Sequence, residues 1–150
     1  MNEVALRKLQ HYCAYQERCH EEVRTKLLSL KVYGDALEEV MNKLIEDDFL
    51  NEERFAIAYA GGKFRMKQWG RSRILNELKL RKISPYCIKK AMSVISDEDY
   101  FSTIKKLIAA ANKKYASAHP YETKNKVARY IISKGFEPEL VWRFLQPDRD

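Results

Sequence analysis

Six apolar positions, Val23, Leu27, Val32, Leu37, Val40 and Met41, return 51 residues later as Ile74, Leu78, Ile83, Ile88, Ala91 and Met92. They return again, 53 residues further on, as Val127, Ile131, Phe136, Val141, Phe144 and Leu145. Self-similarity at a fixed period constrains a fold more strongly than any single motif, because each period must be one supersecondary unit. Three units of about 50 residues tile the chain. Within each unit, a gap of four keeps two apolar residues on one helical face. The next apolar residue sits in a short turn, and gaps of three and four then mark the face of a second helix.

Turn chemistry agrees with this spacing. Ser84-Pro85 and Glu137-Pro138 occupy matching places, with proline at a first helical position where a missing N–H costs nothing. Gly34-Asp35 takes that place in the first unit. Each unit opens with a longer helix, expected over residues 3–17, 52–68 and 98–116. Asn51 before Glu52 and Glu53, and Ser96 before Asp97, Glu98 and Asp99, supply N-caps with acids set against the positive helix end. The faces run Phe55, Ala56, Tyr59, Ala60, Phe64 and Phe101, Ile104, Ile108, Ala111. Polar–apolar alternation never persists, so no strand competes. The longest candidate loop, Tyr115 to Tyr121, ends at His119-Pro120 before a helix. The expected fold is all-α: three tandem three-helix repeats, about nine helices, forming an elongated, curved array. Its boundaries are 1–50, 51–96 and 97–150.

Charge separates the units. Residues 1–50 hold 7 Lys+Arg and 10 Asp+Glu, residues 51–96 hold 11 and 3, and residues 97–150 hold 10 and 8. The net charges are therefore −3, +8 and +2, which together give the +7 of the whole chain. The basic excess centres on KFRMKQWGRSRI, residues 63–74, where Lys63, Arg65, Lys67, Arg71 and Arg73 surround Trp69 and Gly70 without one acid. Lys79, Arg81, Lys82, Lys89 and Lys90 continue it. A basic excess of this kind steers a protein toward polyanions or acidic protein surfaces. A solvated face with no partner is the plain alternative. Cations also oppose the dipole at a helix start, so local stability gives no reason for Arg71 and Arg73 just before the core residue Ile74.

Several chemistries are excluded. No apolar run approaches the ~18 residues that span a bilayer, and the first residues lack the regions of a signal peptide. A cytoplasmic protein without membrane contact is expected. Three cysteines, Cys13, Cys19 and Cys87, make no pairing frame and suit a reducing compartment. His11 and Cys13, two apart on a helix, point to nearly opposite faces and cannot share a metal, so no metal is expected. Gly61-Gly62-Lys63 lacks both flanks of a phosphate loop, since Ile57 stands where a glycine is needed and Phe64 where a hydroxyl is needed. The glycine pair is instead expected to weaken or bend its helix. No serine elbow, HExxH or carboxylate pair is present. No enzyme, catalytic residue or cofactor is expected.

A helix-turn-helix reader is the closer rival, because each unit ends in two helices across a short turn. The second helices read DALEEVMNKLI, YCIKKAMSVI and ELVWRFL, with only Lys89, Lys90 and Arg143 to meet base edges, which argues against sequence-specific readout. Phe55, Tyr59 and Phe64 at helical spacing read as core, while Trp69 reads as partly exposed.

With these features, the chain resembles the RecX family of bacterial regulators of the RecA recombinase. The likeness is carried by the run Leu50-Asn51-Glu52-Glu53-Arg54-Phe55-Ala56, by Trp69-Gly70-Arg71-Ser72-Arg73-Ile74, and by Leu78 with the Lys82-Ile83 turn. The repeat pattern extends it from about residue 5 to residue 146. Two positions depart: Gly61-Gly62 replaces larger helical side chains, and Lys82 stands where a glycine is common. The resemblance implies a non-enzymatic modulator that lies in the groove of the RecA filament on DNA. Such a modulator limits filament growth, ATP hydrolysis and strand exchange in homologous recombination, DNA repair and the SOS response. On that reading the contact residues are Lys63, Arg65, Lys67, Trp69, Arg71, Arg73, Lys79, Arg81 and Lys82, facing the filament or the single- or double-stranded DNA it encloses. With no long heptad pattern, a monomer is expected. A free-standing, non-sequence-specific nucleic-acid-binding helical protein is the alternative.

Overall fold

The computed structural model describes residues 1–146. Among them are nine helices and no strand: α1 Glu3–Tyr15, α2 His20–Ser29, α3 Gly34–Glu46, α4 Glu52–Lys67, α5 Arg71–Leu80, α6 Pro85–Ser93, α7 Asp97–Lys114, α8 Pro120–Ser133 and α9 Pro138–Leu145. The long opening helices α1, α4 and α7 fall within two residues of the spans expected from the sequence.

Helix starts form where capping chemistry permits. The Asn2 and Asn51 side chains accept from the backbone N–H of Ala5 and Arg54 at 3.0 and 2.9 Å, and Ser96 Oγ accepts from Asp99 N–H at 3.1 Å. Each bond satisfies one of the orphan donors of a helix start. Ser84 Oγ accepts from Cys87 N–H at 3.3 Å, one residue ahead of Pro85.

The ends of α2, α5 and α8 share one device. Lys31, Lys82 and Gly135, which occupy the same repeat position, all take positive φ, at 63°, 59° and 101°. Behind Lys31, the N–H of Val32 donates to Leu27 O and that of Lys31 to Leu28 O; behind Lys82, Ile83 donates to Leu78 O and Lys82 to Lys79 O. Both are Schellman closures, in which the residue after the left-handed one folds back onto the helix. That is why Val32 and Ile83, each only 5 or 6% exposed, return to the core as the register requires. In two of the three places, however, lysine stands where glycine is cheaper.

The apolar register is the core. All six positions of the first repeat, five of the second and four of the third are buried; Met92, Phe144 and Leu145 are half-buried. Phe144 still packs its ring on Phe101, with centroids 5.5 Å apart. Each fully buried aliphatic side chain contributes roughly 1.5–3 kcal/mol relative to exposure, so the register is also where most stability resides. Gly61-Gly62 does not break α4, which runs unbroken through the pair. A glycine costs about 1 kcal/mol of helix propensity, and burial of Phe55, Ala56, Ala60 and Phe64 on the same helix outweighs it.

The chain divides into two compact units that do not follow the repeats. One comprises Met1–Tyr59 with Leu78–Ala91; the other comprises Ala60–Glu77 and the chain from Met92 on. In the first, Leu9, Val23, Leu27, Val40, Met41 and Leu44 centre a single apolar cluster. In the second, the fully buried Tyr100 is the centre, with Phe64 and Phe136 ring centroids 5.9 and 5.2 Å away. Relieving the left-handed lysine tests the end-of-helix account. Lys31→Gly raises stability by about 0.5–1 kcal/mol, measured as an upward shift of the urea midpoint at unchanged slope.

Candidate partner-binding surface

The run Leu50 to Ala56 forms a clasp within the first unit. Leu50, Phe55 and Ala56 are buried, and Asn51 caps α4. Glu52 Oε1 accepts from the N–H of Ser84 at 2.8 Å, just ahead of α6. Arg54 pairs with Glu17, reaches Asp48 Oδ2 at 3.1 Å and donates to the Asp48 carbonyl at 3.0 Å. The most recognisable stretch of the sequence is therefore structural.

The basic strip occupies the end of α4, a three-residue connection and the start of α5, all in the second unit. Gln68 leaves α4 with φ of 55°, and the chain then runs against the turn between α8 and α9. Gly70 N–H donates to Lys134 O at 2.9 Å and Ser72 N–H to Gly135 O at 3.0 Å. A Cβ on Gly70 would lie 2.2 Å from the Gly135 carbonyl carbon; one on Gly135 would lie 2.4 Å from Arg73 Cβ. Both positions therefore require glycine, Gly135 doubly so because of its φ of 101°.

Beside this crossing, Arg71 turns inward. Its guanidinium lies 3.9 Å from the Tyr100 ring centroid, meets Asp97 Oδ1 at 2.6 Å and approaches Glu137 Oε2 at 3.8 Å. Tyr100 donates its hydroxyl proton to the Glu137 carboxylate and accepts from the Arg71 N–H at 2.9 Å. Burial, reinforced by the hydrogen bond to Glu137, pushes the phenol well above its ordinary range. The expectation that no local reason exists for an arginine at the start of α5 is thus corrected for Arg71. Asp97 and Glu137 supply the acids that the helix start lacks, and Arg71 is only 24% exposed.

Elsewhere in the strip Arg73 is exposed, while Lys63 and Trp69 are half-buried. Lys63 Nζ and Arg73 Cζ lie 5.0 and 4.1 Å from the Trp69 ring centroid, an indole between two cations worth roughly 0.5–1 kcal/mol for each exposed contact. Arg65 and Lys67 are exposed, with the Arg65 guanidinium lying back over Gly61. Lys79, Arg81 and Lys82 belong to the first unit. Lys79 is exposed, Lys82 pairs with Glu21 at 3.5 Å, and Arg81 stacks 4.8 Å from the Tyr59 centroid. The second unit thus gathers Lys63, Trp69 and Arg73, while Arg71 is held by Asp97, Glu137 and the Tyr100 ring. Nothing in the sequence pattern marked Tyr100, Asp97 or Glu137 as partners of Arg71; the identity of two acids 26 and 66 residues away carries no local signal.

The cysteines contribute no reactive site. Cys13, Cys19 and Cys87 are buried free thiols, and burial pushes those of Cys13 and Cys19 up to about 11. Among the described residues, no group of three His, Cys, Asp or Glu is placed to hold a metal, and no helix is long and apolar enough to cross a membrane.

The fold and surface define a tandem three-helix repeat protein with a partly exposed cation–aromatic face. Residues 51–92 match the family model for the second three-helix domain of RecX, and residues 97–145 match that for the third. Over 140 residues the chain is 27% identical to the regulatory protein RecX of Bacillus licheniformis, covering 93% of this chain and 53% of the relative. It is 24% identical over 140 residues to that of Geobacillus sp. strain WCH70, with 93 and 52% covered. The chain spans about half the length of the curated relatives it matches. A crystal structure of RecX from Lactobacillus salivarius shares the fold with a TM-score of 0.85 at 24% identity, covering 96% of this chain and 94% of that one. The chain belongs to the RecX family of regulatory proteins.

Two substitutions test the crossing. Gly70→Ala destabilises by about 3 kcal/mol or more, because the clash is with backbone that cannot rotate away. Tyr100→Phe costs about 1.5–3 kcal/mol by stripping a charged acceptor and a backbone donor of their partner. Chemical unfolding reads both.

Proposed function

We propose that this chain is a regulator without chemistry of its own that binds the RecA recombinase filament on DNA. It restrains filament growth, ATP hydrolysis and strand exchange in recombination and repair. Membership of the RecX family supports a regulator, and the observation that carries the contact is the outward cation–aromatic face of Lys63, Arg65, Lys67, Trp69 and Arg73. A basic face of this kind complements an acidic protein groove or the phosphates within it. Lys79, Arg81 and Lys82, in the first unit, are contact residues in their own right, and Arg71 acts through the fold. The repeats 1–50, 51–96 and 97–150 are the functional modules, in a cytoplasmic monomer.

The test is the ATPase of filaments on single-stranded DNA, titrated with the whole chain. The wild type lowers the rate, and Arg65→Glu with Lys67→Glu raises the concentration for half-inhibition by about tenfold or more, since both charges are exposed and reversed. Unchanged inhibition by a folded double variant removes the strip as the contact.

The half-buried Trp69, with Lys63 and Arg73 against its ring, favours a second reading, direct nucleic-acid binding, because bases stack on aromatic rings while cations hold phosphates. On that reading a single-stranded oligonucleotide binds without the recombinase. Its affinity falls with salt at a log–log slope of about −0.7 for each phosphate contacted. Negligible binding at low salt excludes it.

A further inference from the structure

The third repeat carries a basic–aromatic surface of its own, hidden in a net charge of only +2. Its acids lie at the ends: Asp97, Glu98 and Asp99 open α7, and Glu137 and Glu139 flank the start of α9. Between them, residues 113–134 contain the six cations Lys113, Lys114, Lys124, Lys126, Arg129 and Lys134 and one acid, Glu122. That acid pairs with Lys126 at 3.3 Å, while Arg129 is exposed and has no ionic partner among the described residues.

Two tyrosines organise these cations. Tyr115, just after α7, and Tyr130, on α8, pack at a tilt with ring centroids 5.9 Å apart. Lys114 Nζ lies 5.4 and 5.5 Å from the two centroids, and Lys134 Nζ lies 5.7 Å from that of Tyr130. Tyr115, Lys126, Arg129 and Tyr130 line an open depression of about 390 Å³. Both rings are half-buried, so each keeps part of its surface available.

Lys134 joins this cluster to the strip. Its carbonyl accepts the Gly70 N–H beside Trp69, and its ammonium stands over Tyr130, one helical turn earlier. Both chain segments that meet at the crossing thus carry aromatic rings with cations beside them. An acidic protein patch would complement the charge but has no use for rings already covered by flexible ammonium groups. A single strand uses both, since a base can take the ring while the displaced lysine meets the neighbouring phosphate.

We propose that Tyr115 and Tyr130, with Lys114, Lys126, Arg129 and Lys134, form a binding surface for single-stranded nucleic acid on the third repeat, continuing from Trp69 through Lys134. The proposal rests on the reading of direct nucleic-acid binding and shares only Trp69 with the strip assigned to the filament; its variants lie outside that strip, so oligonucleotide binding that they leave unchanged overturns this surface and leaves that reading standing.

The experiment is fluorescence anisotropy of a labelled oligothymidylate against the whole chain at low salt, with heparin, a polyanion without bases, as the parallel probe. Tyr130→Leu keeps an apolar side chain at this position and removes the stacking face; it weakens oligothymidylate binding about five- to a hundredfold and leaves heparin binding within about twofold. Arg129→Glu weakens both probes. Tyr115→Leu, on the connection, gives the same discrimination if Tyr130→Leu fails to fold by circular dichroism. The assignment is overturned if the wild type does not bind the oligonucleotide, if the tyrosine variants leave oligothymidylate binding unchanged, or if they weaken oligothymidylate and heparin equally.

Discussion

Gly70 and Gly135 allow two backbone turns to meet at a separation that no side chain tolerates, and the arrangement of the second unit depends on that approach. With both glycines in place, the connection after α4 hydrogen-bonds to the turn after α8, and α5 begins beside α9. The start of α5 then has acids to hand that its own sequence does not provide. Tyr100 fills the space beneath, bridging the Arg71 N–H and the Glu137 carboxylate. Neutral hydrogen bonds contribute about 1 kcal/mol each, but bonds to charged groups in a desolvated setting contribute more. The cluster is therefore a fastening between the second and third repeats rather than surface decoration.

That fastening divides a strip which looks uniform on paper. Arg71 holds the fold together, whereas Arg65 and Lys67 point to solvent, and Lys63 and Arg73 hold Trp69 between them. Two arginines separated by a single serine thus have different physical tasks. Residues that build the surface and residues that would meet a partner alternate along one stretch, so a substitution scan that ignores this would confuse misfolding with lost binding.

Much of the fold was legible in the sequence because the register of the repeat is itself a burial pattern. A residue such as Val32 or Ile83 is apolar for one reason, and its recurrence after a left-handed turn exposes that reason. Asn51 and Ser96 were legible as caps because capping is local. The site was less legible for the opposite cause. The acids that claim Arg71, the ring beneath it and the glycine that faces Gly70 all lie in another repeat, and sequence separation conceals such pairs. The basic–aromatic surface of α8 was hidden differently, by summing charge over a whole repeat whose ends are acidic. The Leu50 to Ala56 run also shows that a recognisable motif need not be a contact: Asn51, Glu52 and Arg54 are spent on a cap, a backbone hydrogen bond and ion pairs within the first unit.

The strip contains one structural arginine among more exposed cations. Urea unfolding of Arg71→Ala beside the double variant Arg65→Ala with Lys67→Ala measures this directly. Arg71→Ala is predicted to lose about 1–3 kcal/mol, because it leaves Asp97, Glu137 and the Tyr100 ring without their shared cation. The double variant is predicted to stay within about 0.5 kcal/mol of wild type, as exposed substitutions do. Equal stabilities for the two would mean that Arg71 is one more solvated charge and holds nothing together.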